Sequence, residues 1–356
     1  MSRFLIKTLS ALTPYTPGEQ PQDMKYIKLN TNESPFEPSE KAVGIAKEHE
    51  RRLNLYSDPQ CILVREKLAE IYEVDKDEII LGNGSDELLF FSFKAFCDEK
   101  RPAVFPDITY GFYPVFSEIN RVPYKEIPLR DDFSVNIDDY NEKGCTIFIA
   151  NPNAPTGKAL PVETIEELVK RHPDDVIIID EAYVDFGGES CIPLIHKYEN
   201  VIVIRTFSKS RSLAGARIGF AIGAKGVIGD LNTIRYSFNP YNINSMTMAM
   251  AYGVLCDEEY TYKNCRTIME NRDFVSNELR DLGFEVIDSK ANFIFAKTEK
   301  ISGGKLYEEL KKRGVLVRHF DKERISDYNR ITIGTRKEME IFTETVKEIL
   351  KAGEQS

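Results

Sequence analysis

Residues 146–150, 176–180 and 201–205 read TIFIA, VIIID and VIVIR, and each of these short apolar runs ends in or leads into a polar residue. Continuous β-branched runs of this length are typical of strands buried on both faces, as in a parallel sheet. Residues 161–169, between the first two runs, place their apolar side chains along one helical stripe and begin with a proline that suits a first turn. The order strand, helix, strand predicts an α/β fold.

The segments on either side of these runs predict an arm and a second, smaller domain. Residues 1–40 are rich in Pro, Thr and Asn and only weakly periodic, so we expect an N-terminal arm. Residues 41–250 would form a large domain with a mostly parallel sheet flanked by helices, and residues 251–356 a small α+β domain in which short strands and helices interleave. The apolar face expected for the last helix consists of Met339, Phe342, Val346, Ile349 and Leu350.

The composition argues against several classes of protein. A net charge of −10 disfavours nucleic acid as a partner, because an acidic protein repels phosphate backbones. No apolar run approaches the roughly 18 residues of a membrane span. The six cysteines form no C-x-x-C pair, and the four histidines lie far apart in the sequence. We therefore expect a cytoplasmic protein with free thiols, without a metal site and without a membrane partner.

Chemically useful side chains follow the predicted strands. Asp180 ends the second run, Lys209 follows the third, and Arg217 lies eight residues beyond that lysine. Ligands of open α/β sheets bind just beyond the carboxyl ends of the strands, so these three side chains are expected to meet at one edge of the sheet.

This set of side chains suits pyridoxal phosphate (PLP). The cofactor needs a lysine amine for its Schiff base and a carboxylate to keep its pyridine nitrogen protonated, which are roles for Lys209 and Asp180. Its phosphate is bound by hydroxyls, an arginine and a helix N-terminus, which are roles for Ser208 and Arg217. Singly, each residue also fits a surface charge or a strand-end cap, but their arrangement at successive strand ends predicts a shared site.

Two further features are weaker evidence for a cofactor site. GNGSDE, residues 82–87, precedes an apolar helix and could turn free backbone N–H groups toward a phosphate, although such a motif alone more often marks an ordinary capped helix. Tyr110 could stack on a cofactor ring or pack in the core.

The order of the motifs resembles that of the fold type I PLP aminotransferases. The motifs concerned are NPNAPTG (151–157), DEAY (180–183), FSKS (207–210) and GAR (215–217). More narrowly, the chain resembles the histidinol-phosphate aminotransferases along nearly its whole length. That narrower likeness rests on LTPY (12–15), LNTNESP (29–35), GSDE (84–87), TFSKS (206–210) and RITIGT (330–335).

The resemblance implies a role for each residue of the cofactor site. Lys209 would hold the cofactor and carry the proton between the substrate and the cofactor, Asp180 would pair with the pyridinium, Tyr183 would bond to the phenolic oxygen and Tyr110 would stack on the ring. The residues implied around the phosphate are Ser85, Asp86, Thr206, Ser208 and Arg217. Tyr56 would reach the phosphate of the neighbouring subunit's cofactor, so the active unit would be a homodimer.

The resemblance also implies a substrate pocket. Arg330 would bind the carboxylate of glutamate or the phosphate of histidinol phosphate in a bidentate fork. Tyr15, Asn32, Glu33 and Arg318 would line the same pocket, although dimer packing alone could also order the arm that carries the first three.

Two positions depart from the family pattern. Ala154 stands where the family usually has an Asn that touches the phenolic oxygen of PLP. Either Asn153 takes over that contact or Tyr183 holds the oxygen alone, and the loss of one donor should raise the pKa of the Schiff-base nitrogen. The other departure is YSDP (56–59) in place of Y-P-D-P, which loosens a turn but keeps the tyrosine.

The expected reaction is a transamination with small-molecule substrates. L-Histidinol phosphate and 2-oxoglutarate would give imidazole acetol phosphate and glutamate, a step of histidine biosynthesis. Two PLP enzymes remain as alternatives, an aminotransferase for aromatic amino acids and a threonine-phosphate decarboxylase. A nucleotide-binding α/β protein without PLP is the third alternative, although the chain contains neither a G-x-G-x-x-G fingerprint nor a P-loop.

Overall fold

A seven-stranded sheet contains the three strands that the sequence predicts. It belongs to a computed structural model that describes residues 3–6, 9 and 12–354. The strands, in chain order, are β1 (Ile27–Lys28), β2 (Ile79–Gly82), β3 (Ala103–Pro106), β4 (Tyr124–Ile127), β5 (Thr146–Ala150), β6 (Val176–Asp180), β7 (Val201–Thr206), β8 (Gly219–Gly223), β9 (Glu285–Ile287), β10 (Phe293–Lys297), β11 (Val315–Leu316), β12 (Arg318–His319) and β13 (Asn329–Thr332). The α-helices are α1 (Glu40–Lys47), α2 (Ile62–Tyr72), α3 (Ser85–Phe96), α4 (Phe112–Asn120), α5 (Val162–Arg171), α6 (Lys225–Phe238), α7 (Ser245–Leu255), α8 (Glu258–Asp281), α9 (Gly303–Lys312) and α10 (Arg336–Glu354).

The central sheet has the strand order β2-β8-β7-β6-β5-β3-β4. Strand β8 is antiparallel to both of its neighbours, whereas the other adjacent strands run parallel. Gly219, the first residue of β8, therefore pairs with Gly82 and Thr206, the last residues of β2 and β7. The loops that follow β2, β5, β6 and β7 meet at this edge, and the predicted mostly parallel α/β fold is confirmed.

Alternate residues of the central strands pack into apolar clusters on opposite faces of the sheet. Ile177 and Ile179 belong to one cluster, together with residues of α2, α5 and α7. Ile178 belongs to the other, together with residues of α3, α4 and α6. Both faces of the strands are thus covered by helices, which is why their sequences are apolar without alternation.

A separate antiparallel sheet, of order β12-β13-β10-β9, forms the smaller part of the fold. Helices α8, α9 and α10 contribute to its apolar cluster. The predicted face of the last helix is buried there, as the exposures of Met339, Phe342, Val346, Ile349 and Leu350 show. Strand β1 pairs in parallel with β11, which attaches the arm to this smaller part. Within the described residues, no helix combines the length and the apolar composition that crossing a membrane requires.

The predicted boundaries between the arm and the two domains stay predictions. The boundary predicted after residue 250 falls inside α7. This helix packs closely on α1, because a Cβ added at Gly253 would lie 2.5 Å from the Cα of Ala42. The predicted arm, residues 1–40, lies partly outside the described residues.

Candidate active site

A cavity of about 310 Å³ lies at the edge where the parallel strands end. It gathers side chains from the loops that follow β2, β6 and β7. The predicted site residues that line it are Glu33, Ser85, Asp86, Tyr110, Asp180, Tyr183, Thr206, Ser208, Lys209 and Arg217. The topology thus brings together residues that are more than 100 positions apart in the chain.

Lys209 is half-buried, and its amine lies in this cavity. Its Nζ donates a hydrogen bond to the backbone carbonyl of Thr31 at 3.2 Å and lies 5.9 Å from the centre of the Tyr183 ring. Burial, together with the positive charge of Arg330, lowers the pKa of Lys209 to about 8. A substantial fraction of the amine is therefore neutral near physiological pH, as a nucleophile requires.

Asp180 is the last residue of strand β6 and is 5% exposed. It accepts hydrogen bonds from the backbone N–H of Ala182 at 3.1 Å and from the hydroxyl of Tyr113 at 3.2 Å. Burial raises the pKa of Asp180 to about 7, and in the described part of the chain no basic side chain forms an ion pair with it. A buried carboxyl of this kind suits a ligand that carries its own proton on a ring nitrogen.

The N-terminus of α3 and the loop after β7 form a polar end of the cavity. The hydroxyl of Thr206 donates to that of Ser208 at 3.0 Å, and the guanidinium of Arg217 lies 3.1 Å from the carboxylate of Asp86. Gly84, with φ of +79°, precedes the helix, and a Cβ there would lie 2.5 Å from Nη2 of Arg217. Free helix N–H groups, two hydroxyls and a guanidinium match the needs of a phosphate group.

These observations together fit PLP. A half-buried amine, a buried carboxyl without a cationic partner in the described part of the chain, and a helix N-terminus that suits an anion line one cavity. They match the aldehyde, the ring nitrogen and the phosphate of the cofactor. Tyr110 lines the same cavity, and its hydroxyl donates to Asp86 at 2.6 Å.

The hydroxyl of Tyr183 is held by the arm. It accepts a hydrogen bond from Nδ2 of Asn32 at 2.9 Å. Burial raises the pKa of Tyr183, while the charge of Arg330 and the bond from Asn32 oppose that rise. Asn32, predicted to line the substrate pocket, thus also contacts a predicted cofactor ligand.

A second cavity, of about 660 Å³, adjoins the first and contains the predicted substrate residues Tyr15, Asn32, Arg318 and Arg330. Nη2 of Arg330 donates to the carbonyl of Asn30 at 3.1 Å, but its buried Nε has no hydrogen-bond partner. The residues common to both cavities are Thr31, Asp86, Tyr110, Ala154, Tyr183, Lys209 and Arg217. A ligand in the second cavity therefore reaches the same lysine.

The arm closes one side of the second cavity. Arg318 donates to the carbonyls of Thr16 at 3.1 Å and Pro17 at 3.4 Å, and the ring of Tyr15 stacks on Phe112 with 4.1 Å between centres. The arm is thus tied to both the small sheet and the central part of the fold.

Two predicted cofactor residues lie elsewhere. The amide of Asn153 donates to the carbonyl of Ile108 and to Thr156 and accepts from Thr109, so its polar atoms are used within the loop. It does not line either of these two cavities, whereas Ala154 lines both, so the geometry does not support the predicted contact of Asn153 with the cofactor.

Tyr56 lies outside both cavities and is 84% exposed. Its ring stacks on Tyr241, with 4.5 Å between centres, beside a third, surface cavity. Its predicted contact with a partner's cofactor stays a prediction.

Sequence reasoning missed two partners of the site. Tyr113 bonds to Asp180, and Thr332 bonds to Asn32. Tyr113 lies outside the quoted motifs, and Thr332 lies within RITIGT, for which the resemblance implied a role of Arg330 alone. The three-dimensional fold places both residues beside side chains of the site.

Three side chains of the kinds that bind metal ions form a cluster away from the site, which their spacing in the sequence did not predict. Ligand atoms of Cys145, His172 and Asp175 lie within 4.8 Å of one another, and all three residues are buried. The ring nitrogens of His172 already contact the carboxylate of Asp175 at 2.8 Å and the carbonyl of Tyr140 at 2.7 Å. The cluster is internally hydrogen-bonded and links the starts of β5 and β6.

Known proteins resemble this chain over most of its length. The sequence model of the family described as aminotransferase class I and II matches residues 24–346. A histidinol-phosphate aminotransferase of Syntrophus aciditrophicus (strain SB) is 46% identical over 352 residues, which cover 97% of this chain and 98% of that protein.

Solved structures share the fold. The crystal structure of histidinol-phosphate aminotransferase from Sinorhizobium meliloti in complex with pyridoxal-5'-phosphate superposes with a TM-score of 0.85 at 22% identity and covers 92% of each chain. That of L-threonine-O-3-phosphate decarboxylase from Porphyromonas gingivalis superposes with a TM-score of 0.79 at 21% identity and covers 91% of this chain and 99% of that one. The fold alone therefore does not separate transamination from decarboxylation.

Proposed function

The chain belongs to the histidinol-phosphate aminotransferases, within the class I and II aminotransferases, and on this premise we propose that it transfers the amino group of L-histidinol phosphate to 2-oxoglutarate. The products would be imidazole acetol phosphate and glutamate. The observation that carries the proposal is the joint position of Lys209, Asp180 and Arg217 around one cavity, with Arg330 in the adjoining one.

The side chains divide the work of proton transfer and binding. When bound, PLP supplies an aldehyde that condenses with amines and a ring that accepts the electrons of the substrate's C–H bond. Nζ of Lys209, with a pKa of about 8, can give and take a proton near neutral pH, so we assign it the proton of the substrate's Cα. The carboxyl of Asp180 would hold the proton of the ring nitrogen, and Ser208 and Arg217 would hold the phosphate.

The second cavity supports a substrate with an anionic group. Arg318, Lys322 and Arg330 line it, and the buried Nε of Arg330 still has a hydrogen to donate. Because a guanidinium binds carboxylate and phosphate in a fork, Arg330 would serve the phosphate of one substrate and a carboxylate of the other in turn.

Two other PLP reactions fit parts of this geometry. Tyr15, Tyr110 and Phe112 line the second cavity and would also suit an aromatic amino acid as the amino donor. A threonine-phosphate decarboxylase would use the same cofactor residues and the same cationic side chains, but it would release carbon dioxide and need no oxo acid. A nucleotide-binding protein without PLP would leave the half-buried amine of Lys209 without a role.

The visible spectrum of the purified, PLP-loaded protein tests the proposal. Histidinol phosphate added alone should bleach the absorption of the bound cofactor, and 2-oxoglutarate should restore it. Bleaching by phenylalanine or tyrosine, with histidinol phosphate inert, would favour the aromatic alternative. Release of carbon dioxide from threonine phosphate would favour the decarboxylase.

Replacement of Lys209 tests the mechanism. Lys209→Ala should give a folded protein that forms no covalent link with PLP and has no turnover. Lys158→Ala, which removes a half-buried partner of the exposed Asp132, should behave as the wild type. Full activity of Lys209→Ala would contradict the assignment of the catalytic amine.

We also propose that the active unit is a cytoplasmic homodimer. Leu53, Leu55, Tyr56 and Leu63 are each more than half exposed, and three of them line the third cavity. A cluster of exposed large apolar side chains is typical of a protein interface. The six cysteines are unpaired, as expected in a reducing compartment.

A further inference from the structure

The hydrogen-bond chain that ends at Tyr183 has a fixed direction. The backbone N–H of Asn32 donates to Oγ1 of Thr332 at 2.9 Å, and the hydroxyl of Thr332 donates in turn to Oδ1 of Asn32 at 3.1 Å. The other end of the same amide, Nδ2, then donates to the hydroxyl of Tyr183 at 2.9 Å. The oxygen of Tyr183 is therefore an acceptor in this chain, and its own proton is free to point elsewhere.

The backbone holds Asn32 in this geometry. Asn32 is 1% exposed and has φ of +55°, a left-handed conformation that Asn tolerates better than most residues. Its carbonyl accepts from Nδ2 of Asn292 at 3.0 Å. The bond to this backbone carbonyl and the bond from the backbone N–H of Asn32 to Thr332 hold the residue in place, and its burial shields the side-chain amide from water.

Tyr183 lines both cavities, so the open direction for its proton is toward the ligand. Ala154, which lines the same two cavities, has no side-chain donor to offer. We propose that Asn32 and Thr332 are positioning residues that direct the hydroxyl of Tyr183 into the cavity, where it serves as the side-chain donor to the phenolic oxygen of PLP. This inference rests on the proposed function, because it requires the cofactor.

The pH dependence of the visible absorption of the PLP-loaded protein is a direct readout. A donor to the phenolic oxygen weakens the hold of that oxygen on the proton of the neighbouring nitrogen, which joins the cofactor to Lys209. Misdirection of the Tyr183 hydroxyl should therefore raise the pH midpoint of the absorption change, by roughly half to one pH unit.

Asn32→Gly is the variant of choice, because glycine accepts a φ of +55° without strain. We expect a raised midpoint in this variant and in Thr332→Val, while Thr332→Ser, which keeps the hydroxyl, should retain the wild-type midpoint. Asn30→Gly is the matched control, since Asn30 is equally buried but its amide donates to the carbonyl of Glu19 instead. In a Tyr183→Phe background, Asn32→Gly should add no further rise, because its effect passes through the hydroxyl.

The direction of the shift decides between the possible outcomes. An unchanged midpoint in loaded Asn32→Gly, or an equal rise in Asn30→Gly, would overturn the inference. A lowered midpoint would also overturn it, because Asn32 would then be accepting the proton of Tyr183 rather than donating to it. If Asn32→Gly does not fold, Thr332→Val decides alone. Failure of the wild-type protein to form any visible band with PLP would instead refute the proposed function.

Discussion

At the scale of single residues, Asp180 couples cofactor binding to the stability of the protein. Its pKa is raised from 3.8 to about 7 in the folded, PLP-free protein, so the folded state holds a proton that the unfolded state lacks between these two values. The associated stability is complete below pH 4 and is lost as the pH rises through 7. We expect PLP-free Asp180→Asn to gain about 2–3 kcal/mol over the wild type between pH 5 and pH 8, measured by denaturant unfolding at both pH values.

The PLP-loaded proteins provide the control for this prediction. With the cofactor bound, the wild type should be the more stable, because Asp180→Asn lacks the charge that pairs with the protonated ring. Parallel stability curves for the two PLP-free proteins would mean that Asp180 ionises as an ordinary carboxyl and that burial does not perturb it.

Single residues were predictable where they stand at the ends of strands. Lys209 and Asp180 follow unbroken apolar runs, and this position is enough to place them at one edge. The orientation of Asn153 was not predictable, because a shift of one residue along a loop decides whether a side chain faces the cavity. Here the hydrogen bonds of Asn153 to Ile108 and Thr156 hold its side chain within the loop. The bond between Asn32 and Tyr183 joins residues 151 positions apart and has no local signal at all.

At the scale of secondary structure, strand β8 is packed against the N-terminus of α3. A Cβ added at Gly219 would lie 2.7 Å from the backbone nitrogen of Ser85 and 2.8 Å from the carbonyl oxygen of Arg205. Because these are backbone atoms, they cannot move without displacing the helix terminus. Gly219→Ala should therefore destabilise the protein by about 1–3 kcal/mol and speed PLP loss on dilution.

Gly229→Ala is the matched control for this element. It lies within α6, where an added Cβ meets nothing within 4 Å, and replacing a helical glycine should stabilise the protein by up to about 1 kcal/mol. Equal thermal stability and PLP retention in Gly219→Ala and the wild type would show that the helix terminus can shift without consequence for the anion site.

The elements of the sheet were predictable to different degrees. Strands β5, β6 and β7 are covered on both faces and therefore have a β-branched sequence that is readable without context. Strand β8 reads GFAIG, because close contact with the helix terminus requires glycine at its first residue. Its antiparallel direction follows from the topology and has no sequence signature.

At the scale of the whole molecule, the exposed apolar side chains near Tyr56 predict the assembly state. Leu63, on α2, is 62% exposed beside the third cavity. An aspartate there would place a charge in the proposed interface, so Leu63→Asp should be monomeric by light scattering and should retain PLP poorly, since Tyr56 of a partner would be lost.

Ile341→Asp provides the comparison, because Ile341 is an apolar side chain on α10 that is 41% exposed and does not line the third cavity. It should remain dimeric with normal PLP retention. If Leu63→Asp is still dimeric, the interface must lie on another surface. If the wild-type protein is monomeric, the proposed homodimer is wrong.

The link between Thr332 and Tyr183 runs through Asn32 and connects the two sheets of the molecule. Thr332 belongs to the small antiparallel sheet, and Tyr183 follows a strand of the central one. If the hydroxyl of Tyr183 sets the absorption of the bound cofactor, that absorption reports on the spacing of the two sheets. Any change in that spacing would then appear as a shift of the absorption of the bound cofactor, even where no amine is exchanged.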